Sequence, residues 1–403
     1  MKKNRIAIIG TVGIPAKYGG FETLTEQLVS NLSDEFDFTV YCSKKKYSKE
    51  ERISHYKGAK LEYINLEANG VQSILYDCIS ILKSLKNNDI LLILGVAGAF
   101  MLPFIKLFTN KKIIISIDGI EWKRDKWSFF AKFYLFWAEK MAVKYSHFDI
   151  SDNESIQDYT AMRYETLSKV IEYGADHTLQ VKPNQTDYLK YTFLNGNYAV
   201  KVCRIEPENN IHVVLNAFSL NSNTNLVVIG NWENNEYGKS LKIKYSAFKN
   251  IFLYDPIYDQ REIDLIRGNA TFYVHGHSAG GTNPSLVEAM FLGLPVVSFN
   301  VSYNKTTTEN KALYFSNELE LTKIIQNVTK NDLKTLGLKM KSIADRRYKW
   351  EIIAEKYKQL FIEVRFAGKK TSLNNPFSVI KNDTLDELNL SHLKYTNTFY
   401  EKR

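Results

Sequence analysis

The run His275-Gly-His-Ser-Ala-Gly-Gly-Thr-Asn-Pro-Ser-Leu-Val-Glu-Ala-Met-Phe-Leu-Gly-Leu-Pro-Val-Val297 holds the densest set of residue types able to do chemistry. A strand is expected to end near Val274. A glycine-rich loop follows, then a helix with Asn283 at its N-cap and Pro284 at its first position, where the missing N–H costs nothing. The N–H groups of Ser285 and Leu286, at the positive end of that helix, are expected to face the loop as an anion site. Gly280 and Gly281 let a ligand approach the backbone closely, with Thr282 beside them. Leu286, Val287, Ala289, Met290, Phe291 and Leu292 are apolar all round the helix, which implies burial, and Glu288 is its lone charge. A carboxylate there either caps a structural hydrogen-bond network or receives two hydroxyls of a sugar one turn below the anion. His275 and His277 flank Gly276 without carboxylate or cysteine companions, so no metal site is expected; His277 is placed to reach the anion and His275 to sit in strand core.

Three further segments carry candidate chemistry. Gly10-Thr-Val-Gly-Ile-Pro-Ala-Lys-Tyr-Gly-Gly-Phe-Glu-Thr23 is a glycine-rich loop between a strand and a helix. It fails the dinucleotide fingerprint because Ala16 stands where the third glycine belongs, which ranks oxidoreductase chemistry last. The loop Ile117-Asp-Gly-Ile-Glu-Trp-Lys-Arg-Asp-Lys-Trp127 is dense in charge and tryptophan directly after a strand, where α/β sheets present ligands. Asp118 there either orients a reacting hydroxyl or caps the strand end. Tyr18, Glu121 and Trp122 are the candidates for contact with an acceptor. Arg204, in Val202-Cys-Arg-Ile-Glu-Pro207, offers a two-pronged donor suited to phosphate, with a surface ion pair to Glu206 or Glu208 as the alternative.

The elements that must position these groups follow an α/β alternation. Strands are expected at Arg5–Gly10, Phe38–Cys42, Leu61–Asn65, Ile90–Leu94, Lys112–Ile117, Phe148–Ser151 and Lys169–Tyr173. Helices are expected between them at Phe21–Leu32, Ser73–Leu85, Trp127–Tyr145 and Glu154–Tyr164. The alternation restarts with strands at Tyr198–Val202, Leu226–Ile229, Ile251–Leu253, Thr271–Val274 and Val296–Phe299, and a final helix over Trp350–Val364. The polar stretch Asp176–Asn197 is the expected seam and hinge. The domains are therefore drawn at 1–180, 181–345, a crossover helix at 346–367 and a polar tail at 368–403.

At 403 residues the chain is long enough for two α/β domains, and 44% hydrophobic with 24% charged residues marks a folded protein. A net charge of +9 and a pI near 9.0 favour anionic partners such as nucleotide diphosphates or a membrane surface. Nucleic acid is not expected, because the basic residues are scattered and form no recognisable motif. Three well-separated cysteines exclude a disulfide framework and point to a reducing compartment, and no export signal is read at the N-terminus, so the expected location is cytoplasmic. The uncharged stretch Ile90–Ile105 falls short of the roughly 20 residues a spanning helix needs and reads as a buried strand, a turn and a short buried helix near Phe100–Phe108. The aromatic helix from Trp127 to Met141 is either a core helix with snorkelling lysines or one lying at a lipid interface.

Over most of residues 1–365 the sequence resembles the retaining glycosyltransferases of family 4. Their Glu-x7-Glu motif matches with its second glutamate at Glu288 and with Gly280 in place of the first. Val170-Ile-Glu-Tyr-Gly-Ala-Asp176 looks like the family's junction strand and turn, and Trp350, Ala354 and Tyr357 look like its closing helix. The resemblance implies a GT-B fold: two Rossmann-like doubly wound domains facing across a cleft, with a C-terminal helix crossing back to the first domain. It also implies a nucleotide-sugar co-substrate, no metal or other cofactor, a ribose held by Glu288, and a diphosphate held by Arg204. The family's lysine a few residues on becomes Asn209 or Asn210. The glycine pair Gly19-Gly20 would approach the donor phosphate and acceptor from the opposite wall. The Gly-Thr-Val-Gly-Ile-Pro, Asp-Gly-Ile-Glu-Trp-Lys-Arg and Gly-Gly-Thr-Asn-Pro-Ser strings are similar to a bacterial subgroup that includes rhamnosyltransferases of polysaccharide assembly. That points to a glycan or lipid-linked glycan acceptor and to peripheral contact with the cytoplasmic membrane face. The competing expectations are a nucleotide-sugar epimerase or hydrolase of the same architecture and a non-catalytic nucleotide-sugar-binding protein.

Overall fold

The computed structural model describes residues 3–370 apart from 18, 118, 125, 126, 222 and 369. The expected polar tail therefore lies almost wholly outside the described residues, as do Tyr18 and Asp118. The chain divides into two units, the first comprising Met1–Ile171 with the chain from Ala354 onward, the second Glu172–Ile353.

The first unit contains strands β1 (Asn4–Ile9), β2 (Phe36–Ser43), β3 (His55–Tyr56), β4 (Ala59–Ile64), β5 (Ile90–Leu94), β6 (Lys112–Ile117), β7 (Phe148–Ser151) and β8 (Lys169–Val170). They form one sheet in the order β3-β4-β2-β1-β5-β6-β7-β8. Every pairing is parallel except the short β3–β4 hairpin, which sequence periodicity did not reveal because two residues are too few to show alternation. Ile90 to Leu94 are all buried, as expected of a parallel strand covered on both faces. The connecting helices are α1 (Gly20–Leu32), α2 (Ser73–Ser84), α3 (Leu102–Phe108), α4 (Phe129–Tyr145) and α5 (Glu154–Tyr164). β8 stops at Val170, three residues short of expectation.

The second unit opens with α6 (Gln185–Lys190) inside the stretch expected to be an irregular seam. Asn184 and Asp187 build a reciprocal cap there, a signal that polar composition had masked. Then follow β9 (Tyr198–Val202), α7 (Ile211–Ser219), β10 (Asn225–Ile229), α8 (Glu236–Tyr245), β11 (Ile251–Tyr254), α9 (Gln260–Gly268), β12 (Phe272–His275), α10 (Pro284–Phe291), β13 (Val296–Phe299), α11 (Ser302–Thr307), β14 (Leu313–Phe315), α12 (Glu318–Asn327) and α13 (Lys330–Arg347). The sheet order is β11-β10-β9-β12-β13-β14, parallel throughout. Val228, Val274 and Val297 from the strands pack with Leu215, Phe218 and Leu321 from the helices into one core.

Two apolar helices differ from expectation. α3 exposes Phe104, Leu107 and Phe108, so it is not the buried helix expected there. On α4 only Ala138, Glu139, Ala142 and Val143 are buried, which removes the reading of a core helix. Among the described residues no helix is long and apolar enough to cross a membrane.

The last helix, α14 (Trp350–Glu363), starts in the second unit and from Ala354 belongs to the first. Phe361 is fully buried with its ring centroid 5.4 Å from Phe36 and 6.2 Å from Phe38, so α14 completes the core under β2. The Lys358–Glu35 and Lys169–Glu363 ion pairs beside it are solvent-screened and contribute little. Phe361→Ala should therefore lower the unfolding free energy by about 3 to 5 kcal/mol in urea titration. A loss below about 1 kcal/mol would mean that the helix is not part of that core.

Candidate functional site

In an open parallel sheet, ligands bind beyond the carboxyl ends of the strands where the winding direction reverses. In the second unit that point lies between β9 and β12, because β9 is flanked by β10 on one side and β12 on the other. The residues emerging there are 203–210 and 276–283, the two segments the sequence singles out.

These two loops are tied together. Ser278 N–H donates to Glu208 O at 2.8 Å, Asn210 Nδ2 donates to Gly276 O at 2.9 Å, and His277 Nδ1 lies 3.0 Å from Asn209 Oδ1. Asn209 Nδ2 also donates to Arg204 O at 2.9 Å. Gly276 is required by this closeness, since a Cβ on it would come 2.3 Å from Asn209 O. Asn209 is thus a structural link between the loops. His277 is buried in that link, and His275 is strand core, its imidazole pKa held well down by burial and by Lys201.

Asn283 caps α10 as expected, and this changes the anion site. Its Oδ1 accepts from Ser285 N at 3.0 Å, and its carbonyl accepts from Leu286 N at 3.0 Å. The amides of Ser285 and Leu286, the anion donors the sequence suggests, are thus both engaged by the cap. The amides of Gly280, Gly281 and Asn283 have no acceptor among the described residues. Gly280 has φ +133°, a conformation open to glycine, so the loop's own backbone presents the donors. Thr282 is buried behind them, and Ser285 Oγ is held between Asn283 and Tyr273.

Glu288 is not alone. Its Oε2 accepts from Arg267 Nη1, and its Oε1 lies 3.3 Å from His177 Nε2. Arg267, with a side chain 2% exposed, also donates to Asp264 at 2.6 Å. Trp350 Nε1 donates to His177 Nδ1 at 3.0 Å, which fixes the tautomer with its proton on Nε2, facing Glu288. Trp350 is anchored in turn by Asp176 Oδ1 on its backbone N–H at 2.7 Å and by its ring over Gly174, where a Cβ would collide at 2.4 Å. The Gly174-Ala-Asp-His177 turn therefore aims an imidazole at Glu288. Burial would raise the Glu288 pKa, but Arg267 and His177 outweigh it and hold it at about 2. The side chain remains 16% exposed, and each oxygen keeps a lone pair for a ligand hydroxyl.

Sequence reasoning passed over Lys201. It is the one charge in β9, only 1% exposed, and has no hydrogen bond or ion pair among the described residues. Its Nζ would lie 2.8 Å from a Cβ on Gly276, which puts the ammonium at the base of the two loops. Burial lowers its pKa, the expected cost of a cation without an anion. The available signal was a lysine inside an otherwise apolar central strand. Arg204 is exposed and makes no ion pair with Glu206 or Glu208.

In the first unit the reversal lies between β1 and β5, below the loop leading to α1. Glu22, 7% exposed, accepts from Val12 N at 2.7 Å and Thr11 Oγ1 at 3.1 Å, and burial raises its pKa. Gly19, at φ +122°, lies against that carboxylate, since a Cβ would come 1.9 Å from Glu22 Oε2; Gly20 opens α1. Glu121 pairs with Arg124 at 2.9 Å and accepts from Trp127 Nε1 at 3.0 Å, while Trp122 Nε1 donates to Tyr159 at 3.0 Å. The two acceptor candidates among the described residues, Glu121 and Trp122, are thus braced by side chains of their own unit. Among the described residues no group of three His, Cys, Asp or Glu is placed to hold a metal ion.

A carboxylate with a depressed pKa stabilises the fold above its unfolded value, and that stabilisation is lost as pH falls through its folded value. For Glu288 the window runs from 4.5 down to about 2 and is worth about 3 kcal/mol. The stability difference between wild type and Glu288→Gln should be largest above about pH 5 and shrink by that amount towards about pH 2 in urea unfolding. A difference independent of pH would show that the carboxylate is not held ionised.

Comparison with known proteins bears on both units. Residues 3–176 match the family model described as Domain of unknown function (DUF1972), and residues 190–335 match Glycosyl transferases group 1. No curated protein matches the chain. Among solved structures, sucrose-phosphate synthase from Thermosynechococcus elongatus is similar with a TM-score of 0.77 and 15% identity, over 91% of this chain and 100% of that one. Anabaena HepE in complex with UDP-glucose gives 0.68 and 14%, over 89% and 99%. A glycosyltransferase from Rickettsia africae gives 0.69 and 13%, over 90% and 99%. The chain therefore has the GT-B fold, and its residues 190–335 form a glycosyl transferases group 1 domain.

Proposed function

We propose that the protein is a retaining, metal-independent glycosyltransferase of family 4. It moves a hexose or deoxyhexose, in the specific case L-rhamnose from dTDP-rhamnose, to a hydroxyl of a lipid-linked intermediate in capsule, O-antigen or cell-wall polysaccharide synthesis. It works in the cytoplasm, peripherally at the membrane face. The group 1 domain and the fold shared with a UDP-glucose complex support the nucleotide-sugar part of this reading. The observation that carries it is the second unit's reversal point, where, among the described residues, the Gly280 and Gly281 amides have no acceptor and buried Lys201 has no counter-ion, with the ionised carboxylate of Glu288 on the helix that follows.

The diphosphate lies over Gly280 and Gly281, whose N–H groups meet its oxygens. Lys201 from below and Arg204 from the exposed side neutralise the charge that grows on it as the glycosidic bond breaks. Glu288, kept anionic by Arg267, accepts the ribose hydroxyls. The acceptor hydroxyl attacks on the face the diphosphate leaves, and the departing phosphate oxygen takes its proton, giving retention. Asp118, with Tyr18, Glu121 and Trp122, is assigned to the acceptor side.

Lys201 separates this reading from a structural one. Lys201→Met removes a buried cation and keeps the volume, so thermal stability should hold or rise. Affinity for the nucleoside diphosphate should fall about 10- to 100-fold, the worth of one charge-assisted hydrogen bond. Calorimetric titration with UDP-glucose, UDP-galactose, GDP-mannose and dTDP-rhamnose gives both the preferred donor and the effect of the substitution. Unchanged affinity in the variant would remove Lys201 from the site, and binding of none of the four would remove the donor reading.

A further inference from the structure

α4 displays a face that no described residue of its own unit covers. At 100° per residue, Phe129, Phe133, Phe136, Trp137, Lys140 and Lys144 fall within an arc of about 100° along about 22 Å of helix. The four aromatics are 78%, 67%, 42% and 42% exposed, with Phe130 beside them at 83%. Helix α3 runs alongside, tied by Tyr134 OH to Ala97 O and Lys106 Nζ to Ser146 O, and exposes Phe104, Leu107 and Phe108. Single exposed hydrophobics are ordinary, but eight on two adjacent helices are not.

The aromatic stripe ends on a basic pocket of about 330 Å³. Lys140 and Lys144 line it with Arg163 and Lys370, and Glu165 is its one carboxylate. Lys370 is already held by Asp149, and Arg163 lies 3.8 Å from Glu139 and over the Phe136 ring. Lys140 and Lys144 are exposed and have no carboxylate partner among the described residues. We infer that this face of the first unit docks on an anionic lipid bilayer, with the aromatics entering the headgroup boundary and the pocket taking a lipid phosphate. Aromatic residues in line with uncompensated lysines are the pattern of an interfacial helix. A second copy of the chain fits less well, because it would bring the same cations against each other. The inference does not depend on the donor assignment.

The test is co-sedimentation of the full chain with phosphatidylcholine vesicles with and without phosphatidylglycerol, alongside light scattering of the protein alone. Wild type should pellet with the anionic vesicles and be released by salt. Phe130→Ser/Phe133→Ser and Lys140→Glu/Lys144→Glu should each bind roughly tenfold more weakly with unchanged thermal unfolding. Variants that bind as the wild type does, a wild type that binds neither vesicle, or a dimer that the serine variant dissociates would each overturn the proposal.

Discussion

The site is organised by the cost of an ion kept away from water. Arg267 is almost wholly buried, and a guanidinium in that position is tolerable only if carboxylates face it on more than one side. Asp264, one turn away on the same helix, and Glu288, from the helix after the glycine loop, supply them. That arrangement keeps Glu288 ionised and rigid and fixes α9 against α10. It leaves the outer lone pairs of the carboxylate as the only ones a ligand can use. Removing either partner would strand a buried charge, which typically costs 3 to 5 kcal/mol.

A second constraint is the joining of the two loops at the reversal point. Asn209 and Asn210 are short amides that stitch one loop to the other. Beneath them stands Lys201 of β9, buried at the base of both loops. On the proposed reading, a cation fixed in this way would stabilise negative charge developing on the diphosphate without reorganising. At the N-cap, Asn283 takes up the helix amides, while the amides of Gly280 and Gly281 in the loop have no acceptor among the described residues.

Much of this was legible in the sequence. Long apolar strands such as Ile90–Leu94 and Lys112–Ile117, and the Asn-Pro start of α10, came out at their observed positions because burial and capping leave local signals. The two-residue hairpin strand, β14 and α6 did not, since they are too short or too polar for periodicity to register. Glu288 was recognisable as the odd charge in an apolar helix, but its partners were not. His177 and Arg267 are 111 and 21 positions away, and only the fold brings them together. The engagement of the Ser285 and Leu286 amides was not legible, because an asparagine good enough to cap the helix also takes up the donors it caps. The aromatic helix could not be settled from its pattern, because an apolar arc reads the same whether protein or solvent lies against it.

The most direct measurement is the crystal structure of the protein with a nucleoside diphosphate bound. Hydrogen bonds from the Gly280 and Gly281 amides to the diphosphate, Lys201 Nζ within contact of it, and the ribose hydroxyls on Glu288 are the predicted result. A diphosphate seated away from that loop, with Lys201 still lacking an acceptor, would contradict the account.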